Sequence, residues 1–391
     1  MTRTTAIVAA DLHLLKKPGM WTGRAEISGD DVYSLQQIAE LTRKNDADLY
    51  LLGDVLDNVT NLPRPIVAAQ QVLGELAGEG RVSFLQGQHE LVVQAHYENH
   101  PWLSLIPGTV HIGGRVFDFL GHKAYGLDYF PYAFEALAMA KIPEDTEVLF
   151  LHGTIDTVMS ASFHVTAESL SKLPNLQLVL AGDYHQALEL SIGDIRVFYT
   201  GSTWQTSADE QRDKSVIIAT TDGDKIVVDR IPLVTRSIFK ISELYDGEGE
   251  VDTAKLSARN TELPEELQTP VLLVDRPTPP EVYEELVKHA HLYTTSGANP
   301  DIPVQSSLGS EHELSNEQVL RQYADKDKYP EQFAFTLDVI ESNVDQAISR
   351  LRTKMNLETE DLVIKSDTAT DINLDAADTD EDSLLDDEEA F

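Results

Sequence analysis

The chain has 391 residues, a formal net charge of −36 and no cysteine. This length accommodates one large domain and a smaller one. The absence of cysteine excludes disulfides, thiolate metal sites and cysteine nucleophiles, so a metal site here has to use His, Asp, Glu, Asn or Gln. The acidic charge argues against a protein that binds nucleic acid simply by tracking its phosphates with lysine and arginine.

Part of the negative charge is concentrated in residues 358–391, which contain 14 Asp and Glu residues against one lysine. This stretch is poor in aromatic residues, and we expect a disordered tail that either solvates the protein or docks on a partner. No apolar run approaches the ~20 residues that span a bilayer. The first residues also lack the apolar region of a signal peptide. We therefore expect no membrane association and a cytoplasmic location, in the host cytoplasm if the protein is phage-encoded.

Residues 1–235 alternate strand-like and helix-like segments, the pattern of an α/β protein. A strand-like apolar run opens the stretch at residues 6–13. Helices are predicted around residues 32–41 and from Pro63 to Leu76, where proline precedes or occupies the first turn. Further strands are predicted at residues 48–52, 82–85, 116–120, 148–151 and 176–181, and closing antiparallel strands at residues 196–200, 215–219 and 225–230.

The chain changes character after about residue 235. A strand at residues 271–274 and a helix at residues 279–292 are followed by a polar loop at residues 294–309. Two further helices are predicted at residues 315–323 and 331–355. In the second of these, apolar residues recur at mostly three- and four-residue steps, which indicates an amphipathic face. That face is either intramolecular core or a surface for a partner.

Five of the predicted strands are each followed by Asp or His, usually next to a glycine. The segments are D-L-H at residues 11–13, G-D-V-L-D at 53–57, Q-G-Q-H-E at 86–90, H-G at 152–153 and G-D-Y-H at 182–185. The carboxyl ends of parallel strands form the ligand crevice of an open α/β sheet, so we expect these side chains to converge on a shared metal site. The alternative reading is that a second metal site has decayed, which gives a one-metal or inactive protein.

The order of these five segments closely resembles the pattern of the calcineurin-like metallophosphoesterase superfamily. A further block, Y-T-G-S-T-W-Q-T-S at residues 199–207, resembles a block of the SbcD-type double-strand-break nucleases and the phage recombination endonuclease small subunit. The resemblance implies an α/β fold, a four-layer α/β/β/α metallophosphoesterase sandwich, over residues 1–235. It also implies a small α+β capping domain at residues 236–310, a helical partner-binding arm at 311–357 and the acidic tail at 358–391.

The resemblance also assigns roles to individual residues. His89 would be the catalytic histidine facing the leaving oxygen, and Asp57 would either orient it or cap the following helix. Two divalent ions, Mn²⁺ first and Mg²⁺ as the alternative, would share Asp54. The first ion would be held by Asp11, His13, Asp54 and His185, and the second by Asp54, Gln88, His152 and Asp183.

Two of these positions depart from the family pattern. Gln88 stands where the family has asparagine, and Asp183 stands where it has histidine. Both keep an oxygen donor, so the second position becomes richer in oxygen and more negative, which favours Mn²⁺ or Mg²⁺.

The function implied is a dimetal-dependent DNA exonuclease, and also endonuclease, in recombination and repair. Its implied partners are DNA, an SbcC-like SMC-type ATPase and a second copy of the chain. One alternative is a stand-alone phosphodiesterase or phosphatase on small substrates. Another is a weakened scaffold that binds DNA ends or the ATPase. Within the same segments, Tyr184, Trp204 and Gln205 either face substrate or pack, and Glu90 is expected to pack or hydrogen-bond beside the site without ligating.

Overall fold

The computed structural model describes residues 3–16, 29–57, 63–91, 101–130, 134–158, 164–207, 209–245, 252, 262–275 and 278–294. All of them belong to one compact unit. The predicted helices at residues 315–323 and 331–355, the acidic tail and nearly all of the loop at 294–309 lie outside the described residues. Among the residues that are described, no helix has the length and apolar character that crossing a bilayer requires.

The described strands, in chain order, are Thr5–Ala9 (β1), Asp48–Leu52 (β2), Val82–Leu85 (β3), Val110–His111 (β4), Val116–Phe119 (β5), His122–Leu127 (β6), Val148–His152 (β7), Leu178–Gly182 (β8), Leu188–Ile192 (β9), Ile195–Tyr199 (β10), Ser215–Asp222 (β11), Lys225–Pro232 (β12), Ile238–Lys240 (β13), Val271–Val274 (β14) and His291–Thr294 (β15). The α-helices are Asp30–Lys44 (α1), Arg64–Gly78 (α2), Glu135–Met139 (α3), Ala167–Ser171 (α4) and Pro280–Leu286 (α5). Short 3₁₀ turns occupy Gln88–Glu90, Trp102–Leu105, Ile241–Glu243 and Glu265–Leu267.

Two six-stranded sheets form the body of the molecule. The first has the order β12-β11-β1-β2-β3-β4 and the second β5-β6-β7-β8-β10-β9. Strands β1 to β4 run parallel to one another, as do β6, β7, β8 and β10. The strands that carry the predicted ligands are therefore parallel within each sheet, and their carboxyl ends lie at one edge.

Alternate residues of the strands face different neighbours, and this produces four layers. On one face of the first sheet, Ile7 and Leu49 pack with Leu35 of α1 and Leu73 of α2. On its other face, Val8 and Leu52 belong to a cluster that includes Phe150 and Leu180 of the second sheet. The outer face of the second sheet packs against the short helices α3 and α4 through Ala138 and Leu170. The α/β/β/α sandwich predicted from the sequence is confirmed.

The pairing of β10 confirms one sequence prediction on one side of the strand and corrects it on the other. Residues 196–200 were expected as a closing antiparallel strand, but β10 runs parallel to β8. The antiparallel partner of β10 is β9. Strand β9 follows the G-D-Y-H segment in the chain and is an edge strand of the second sheet. Strands β11 and β12 do pair antiparallel, β11 against β1 and β12 against β11, as expected.

A third, three-stranded parallel sheet of order β13-β14-β15 follows the sandwich. Its core joins Leu272 and Leu292 with Leu286 of α5. The predicted helix at residues 279–292 is wrong in its second half, because α5 ends at Leu286 and β15 begins at His291. Arg236 ties the segment leading into this sheet to α1 through a buried ion pair with Asp30, at 2.8 Å.

Candidate metal centre

The predicted site residues are Asp11, His13, Asp54, Asp57, Gln88, His89, His152, Asp183 and His185, and all nine are described. They follow or end five parallel strands, β1, β2 and β3 of the first sheet and β7 and β8 of the second. The two groups meet where the backbone N–H of Asp183 donates to both carboxylate oxygens of Asp11 at 3.1 Å. The sheet-on-sheet packing therefore brings side chains up to 174 positions apart in the sequence to one edge.

Asp11, His13 and His185 form a first cluster whose ligand atoms all lie within 4.8 Å of one another. Asp11 and His13 are fully buried. The Nε2 atoms of His13 and His185 are 3.1 Å apart. An ion bound about 2.1 Å from each of two imidazole nitrogens at right angles would leave them about 3 Å apart. The spacing of these two nitrogens fits joint ligation of one ion.

Asp11, Asp54 and His152 form a second cluster of the same compactness. Asp54 Oδ2 lies 3.4 Å from His152 Nε2, and Asp183 Oδ1 lies 4.0 Å from the same nitrogen. The side-chain amide of Gln88 contacts Asp183 Oδ1 at 3.3 Å. Asp11 is the residue common to both clusters. That Asp54 bridges two metal ions remains a prediction.

The donor atoms of the second cluster fit a bound cation. Asp54 Oδ2 and His152 Nε2 are buried, and neither has a hydrogen-bond partner among the described residues. Buried polar atoms are normally satisfied, so an orphaned carboxylate oxygen beside an orphaned imidazole nitrogen calls for a ligand. Oxygen and imidazole donors without thiolate suit Mn²⁺, Mg²⁺, Fe²⁺ or Zn²⁺.

His89 lies beside the clusters and is the most open of the four histidines of the site. Its side chain is 37% exposed, against 0% for His13 and His152 and 26% for His185. Its Nδ1 is 2.7 Å from the backbone oxygen of Asp57, so the ring presents Nε2, which is 3.9 Å from Asp54 Oδ2.

The carboxylate of Asp57 neither caps the following helix, whose N-cap is Pro63, nor has His89 as its nearest imidazole. It lies 3.3 Å from Nδ1 of His13 and 4.0 Å from Nδ1 of His89. Asp57 thus holds His89 through its main chain and faces His13 with its side chain.

Several of the site residues have unusual backbone conformations. Asp11, His13, Asp54 and Asp183 have φ angles of 54°, 45°, 48° and 84°, in the left-handed region. Such conformations cost of the order of 1–3 kcal/mol each and persist where the surroundings over-determine them. Main-chain hydrogen bonds between the loops supply that constraint, from Asp11 N to Gly53 O at 3.1 Å and from His13 N to Asp54 O at 2.9 Å.

Two glycines make room for the ligands. A Cβ on Gly53 would lie 2.3 Å from Nδ1 of His152, and one on Gly87 would lie 2.1 Å from Oδ1 of Asp54. Both distances are shorter than any real contact, and Gly53 also has φ +82°. The glycines of G-D and G-Q-H-E are therefore required by the approach of the ligand side chains.

Burial and charge set the protonation of the cluster. Burial raises the pKa of Asp11 to about 6, against the opposing effect of His185, and burial lowers the pKa of His13 to about 4. Burial also acts to raise the pKa of Asp54, but the imidazole of His152 outweighs it and holds that pKa well below its usual range. A neutral His13 and an ionised Asp54 are the forms that bind cations.

Three residues near the centre were missed or only partly anticipated from the sequence. Glu210 accepts a hydrogen bond from Nδ1 of His185 at 2.9 Å. His164 places Nδ1 3.6 Å from Asp183 Oδ2. Both lie in segments without a motif, although Glu210 falls in the charged loop after residue 207. Glu90, expected to hydrogen-bond beside the site, accepts the backbone N–H groups of Val55, Leu56 and Gly87.

The residues for which two readings were open are packed in the structure. Trp204 is buried and donates from Nε1 to the carbonyl of Leu12 at 2.7 Å. Gln205 is buried and accepts from the N–H of Ile238 at 3.0 Å. The ring of Tyr184 lies edge-on to Tyr199 with centroids 5.6 Å apart.

Comparison with known proteins gives two related sequences. The DNA double-strand break repair proteins Mre11 of Methanosarcina acetivorans and Methanosarcina mazei are each 26% identical to this chain, over 238 and 235 residues. Each match covers 57% of this chain, but 38% and 37% of those proteins, so the chain matches little more than a third of their length. The similarity to these two proteins agrees with the nuclease-related resemblance of the motifs.

The other comparisons add little. No protein-family model matches the chain. A dimetal phosphatase from Danio rerio is 12% identical over 58% of this chain and 95% of its own, with a TM-score of 0.41. A TT1561 protein of Thermus thermophilus is 13% identical over 59% of this chain and 99% of its own, with a TM-score of 0.39. Scores this low carry no argument about activity.

Proposed function

We propose that this chain is a Mn²⁺-dependent nuclease that hydrolyses DNA phosphodiester bonds in recombination and repair, in the cytoplasm, together with an SbcC-like ATPase. The observation that carries the proposal is the pair of ligand clusters sharing Asp11, with His89 exposed beside them. The similarity to two Mre11 proteins named for double-strand break repair supports DNA as the substrate.

In this proposal, seven side chains at the strand ends hold two divalent ions. Asp11, His13, Asp54 and His185 hold one divalent ion, and Asp54, Gln88, His152 and Asp183 hold a second. Two such ions, when bound, neutralise the phosphodiester and supply a nucleophile from water at neutral pH. Three of the first position's four donors come from motif loops of the first sheet and the fourth, His185, from the second sheet, so the packing of the sheets aligns them.

His89 is the proposed proton donor. Because its Nδ1–H donates to the Asp57 carbonyl at 2.7 Å, Nε2 is the atom left to face the leaving oxygen, and the ring protonates that oxygen from its imidazolium form, which carries a proton on both nitrogens. Proton transfer by a positioned imidazole contributes typically about 10²–10⁴-fold to a rate. The ring is 37% exposed, so one side of it is open to a substrate.

The net charge of −36 bears on how DNA is bound. A protein gains affinity for DNA by displacing counterions with lysine and arginine, and this chain has 30 of those residues against 66 acidic ones. We propose that productive DNA binding requires the ATPase, docked on the arm at residues 311–357, and a second copy of the chain.

The test is hydrolysis by the purified full-length chain. With millimolar Mn²⁺ the chain alone should hydrolyse a chromogenic phosphodiester, and with an SbcC-like ATPase added it should degrade linear duplex DNA. The variant His152→Ala should lose both activities. His289→Ala, which removes a histidine of the third sheet region paired with Glu285, is the matched control and should keep both. Hydrolysis of a chromogenic phosphodiester without DNA degradation, even with the ATPase present, would favour a small-substrate enzyme. Loss of both activities, with fewer than two Mn²⁺ per chain, would favour a scaffold.

A further inference from the structure

Glu210 lies in the loop between β10 and β11 and sits at the centre of a buried polar network. Its Oε1 accepts from His185 Nδ1 at 2.9 Å, and its Oε2 is 2.8 Å from Lys214 Nζ. Oε2 also accepts from Ser202 Oγ at 2.8 Å and from the N–H of Thr206 at 3.2 Å. The side chains of Glu210 and Lys214 are 9% and 2% exposed. The hydrogen-bonded carboxylate of Glu210 and its counter-ion Lys214 thus lie directly behind the candidate ligand His185.

Stability alone is a weak reason for this network. A buried ion pair loses solvation for both charges, and replacing it by apolar residues is often neutral or stabilising. The network has a definite effect on His185, however. A carboxylate facing Nδ1 keeps the proton on that nitrogen, so the lone pair is on Nε2, the atom 3.1 Å from Nε2 of His13.

The other histidine of the first cluster has a similar arrangement. Nδ1 of His13 lies 3.3 Å from Asp57 Oδ1, within ion-pair range but without a hydrogen bond, and Lys16 Nζ lies 3.7 Å from the same oxygen. Each imidazole of the first cluster therefore has a carboxylate next to its Nδ1 and a lysine next to that carboxylate. His152, in the second cluster, is held differently, because its Nδ1 lies 2.6 Å from the neutral carbonyl of Leu52.

This difference predicts an asymmetry between the two positions. An imidazole that donates to a carboxylate is a stronger donor at its other nitrogen than one that donates to a carbonyl, and its orientation is fixed. We propose that Glu210, backed by Lys214, is a positioning residue for His185, and that it makes the position at Asp11, His13 and His185 the tighter of the two. This inference rests on the metal-dependent function proposed above.

The experiment is a calorimetric titration of the metal-free full-length chain with Mn²⁺ alone. The wild-type chain should bind two ions in two distinguishable steps. Glu210→Gln removes the charge behind His185 and should weaken the tighter step by about 10–100-fold, the usual cost of losing such a partner. The weaker step should change by less than about twofold, which a general loosening of the fold would not reproduce.

Asp213→Asn is the matched control, because it makes the same change of charge at an exposed residue three positions away. It should leave both steps unchanged. Glu210→Asp keeps the charge beside Lys214 but shortens the side chain. It should also weaken the tighter step, and it replaces Glu210→Gln if that variant does not fold.

The inference is overturned if a folded Glu210 variant binds Mn²⁺ as the wild type does, or if both steps weaken equally. Failure of the proposed function looks different. In that case the wild-type chain itself would bind no Mn²⁺, or would bind two ions and hydrolyse no phosphodiester.

Discussion

Replacing His89 tests whether this residue is a proton donor or a metal ligand, because its position in the structure is compatible with both roles. His89 can be grouped with His13 and Asp57 as a third candidate cluster, with ligand atoms within 4.8 Å. That cluster uses the side of His13 that faces Asp57, whereas the first cluster uses Nε2, the atom beside His185. A neutral imidazole has one lone pair on its ring nitrogens, so His13 cannot serve both clusters.

We expect His89→Ala to keep two Mn²⁺ per chain and to lose activity. The rate should fall by about 10²–10⁴-fold, the contribution of a positioned proton donor. At about 1.36 kcal/mol for each factor of ten, this raises the barrier by about 3–5 kcal/mol. The fold should be preserved, because the ring is 37% exposed and the N–H of residue 89 still donates to Asp54 Oδ1, at 2.9 Å.

The assay is single-turnover hydrolysis of a chromogenic phosphodiester by the chain alone and of linear DNA with the ATPase added, with Mn²⁺ counted by calorimetry in the same preparations of the chain. His289→Ala again serves as the matched histidine control and should match the wild type in both measurements. A His89→Ala chain that binds one Mn²⁺ instead of two would refute the reasoning, since His89 would then be a ligand. An unchanged rate with two ions bound would show that another group protonates the leaving oxygen.

Three further predictions concern stability and charge. Burial raises the pKa of Asp31 to about 6, so as the pH rises from about 4 this carboxyl ionises in the unfolded chain before it does in the folded one. Between pH 4 and pH 7 the free energy of unfolding in urea of the metal-free wild type should therefore fall by up to about 3 kcal/mol relative to that of Asp31→Asn, and a constant difference across that range would contradict the prediction. Trp204→Phe leaves the carbonyl of Leu12 without its 2.7 Å donor, and should lower the free energy of unfolding by about 1–3 kcal/mol in the same assay. Removing residues 367–391 should tighten DNA binding, measured by fluorescence anisotropy at several salt concentrations, because like-charge repulsion is relieved; an unchanged affinity at low salt would exclude that repulsion.

The ends of the strands were the most predictable part of the site. Asp11, Asp54 and Asp183 stand directly beyond apolar runs, and local sequence is enough to locate such strand ends. The layer order followed from the α/β alternation and the resemblance. Pairing direction was less accessible, because nothing in residues 195–199 themselves distinguishes a parallel neighbour from an antiparallel one. The strand at His291 was missed because apolar residues continue past the end of α5 without a glycine or proline to mark the change.

The residues that support the ligands were the least predictable. Trp204 donates to a carbonyl 192 positions earlier in the chain, and Glu210 reaches His185 across 25 positions. Neither contact has a local signature, because a charged loop residue looks the same whether it faces solvent or a buried imidazole. Asp57 shows a further limit. Its position after Asp54 suggested an acid beside His89, and only the coordinates show that its carboxylate is closer to His13.

The backbone conformation of the site indicates that folding, and not metal binding, establishes the geometry of the ligand loops. Four candidate ligands have left-handed φ angles, which together cost several kcal/mol at about 1–3 kcal/mol each. The compensating contacts come from the protein itself. The D-x-H loop is hydrogen-bonded to the G-D loop at Asp11, His13 and Leu14, and Asp11 accepts the N–H of Asp183. The loops are therefore held in ligating conformations by the fold, so the free energy of metal binding is not consumed in forming them. This is the arrangement expected of a centre in which a small displacement of either ligand set would misalign the reacting groups.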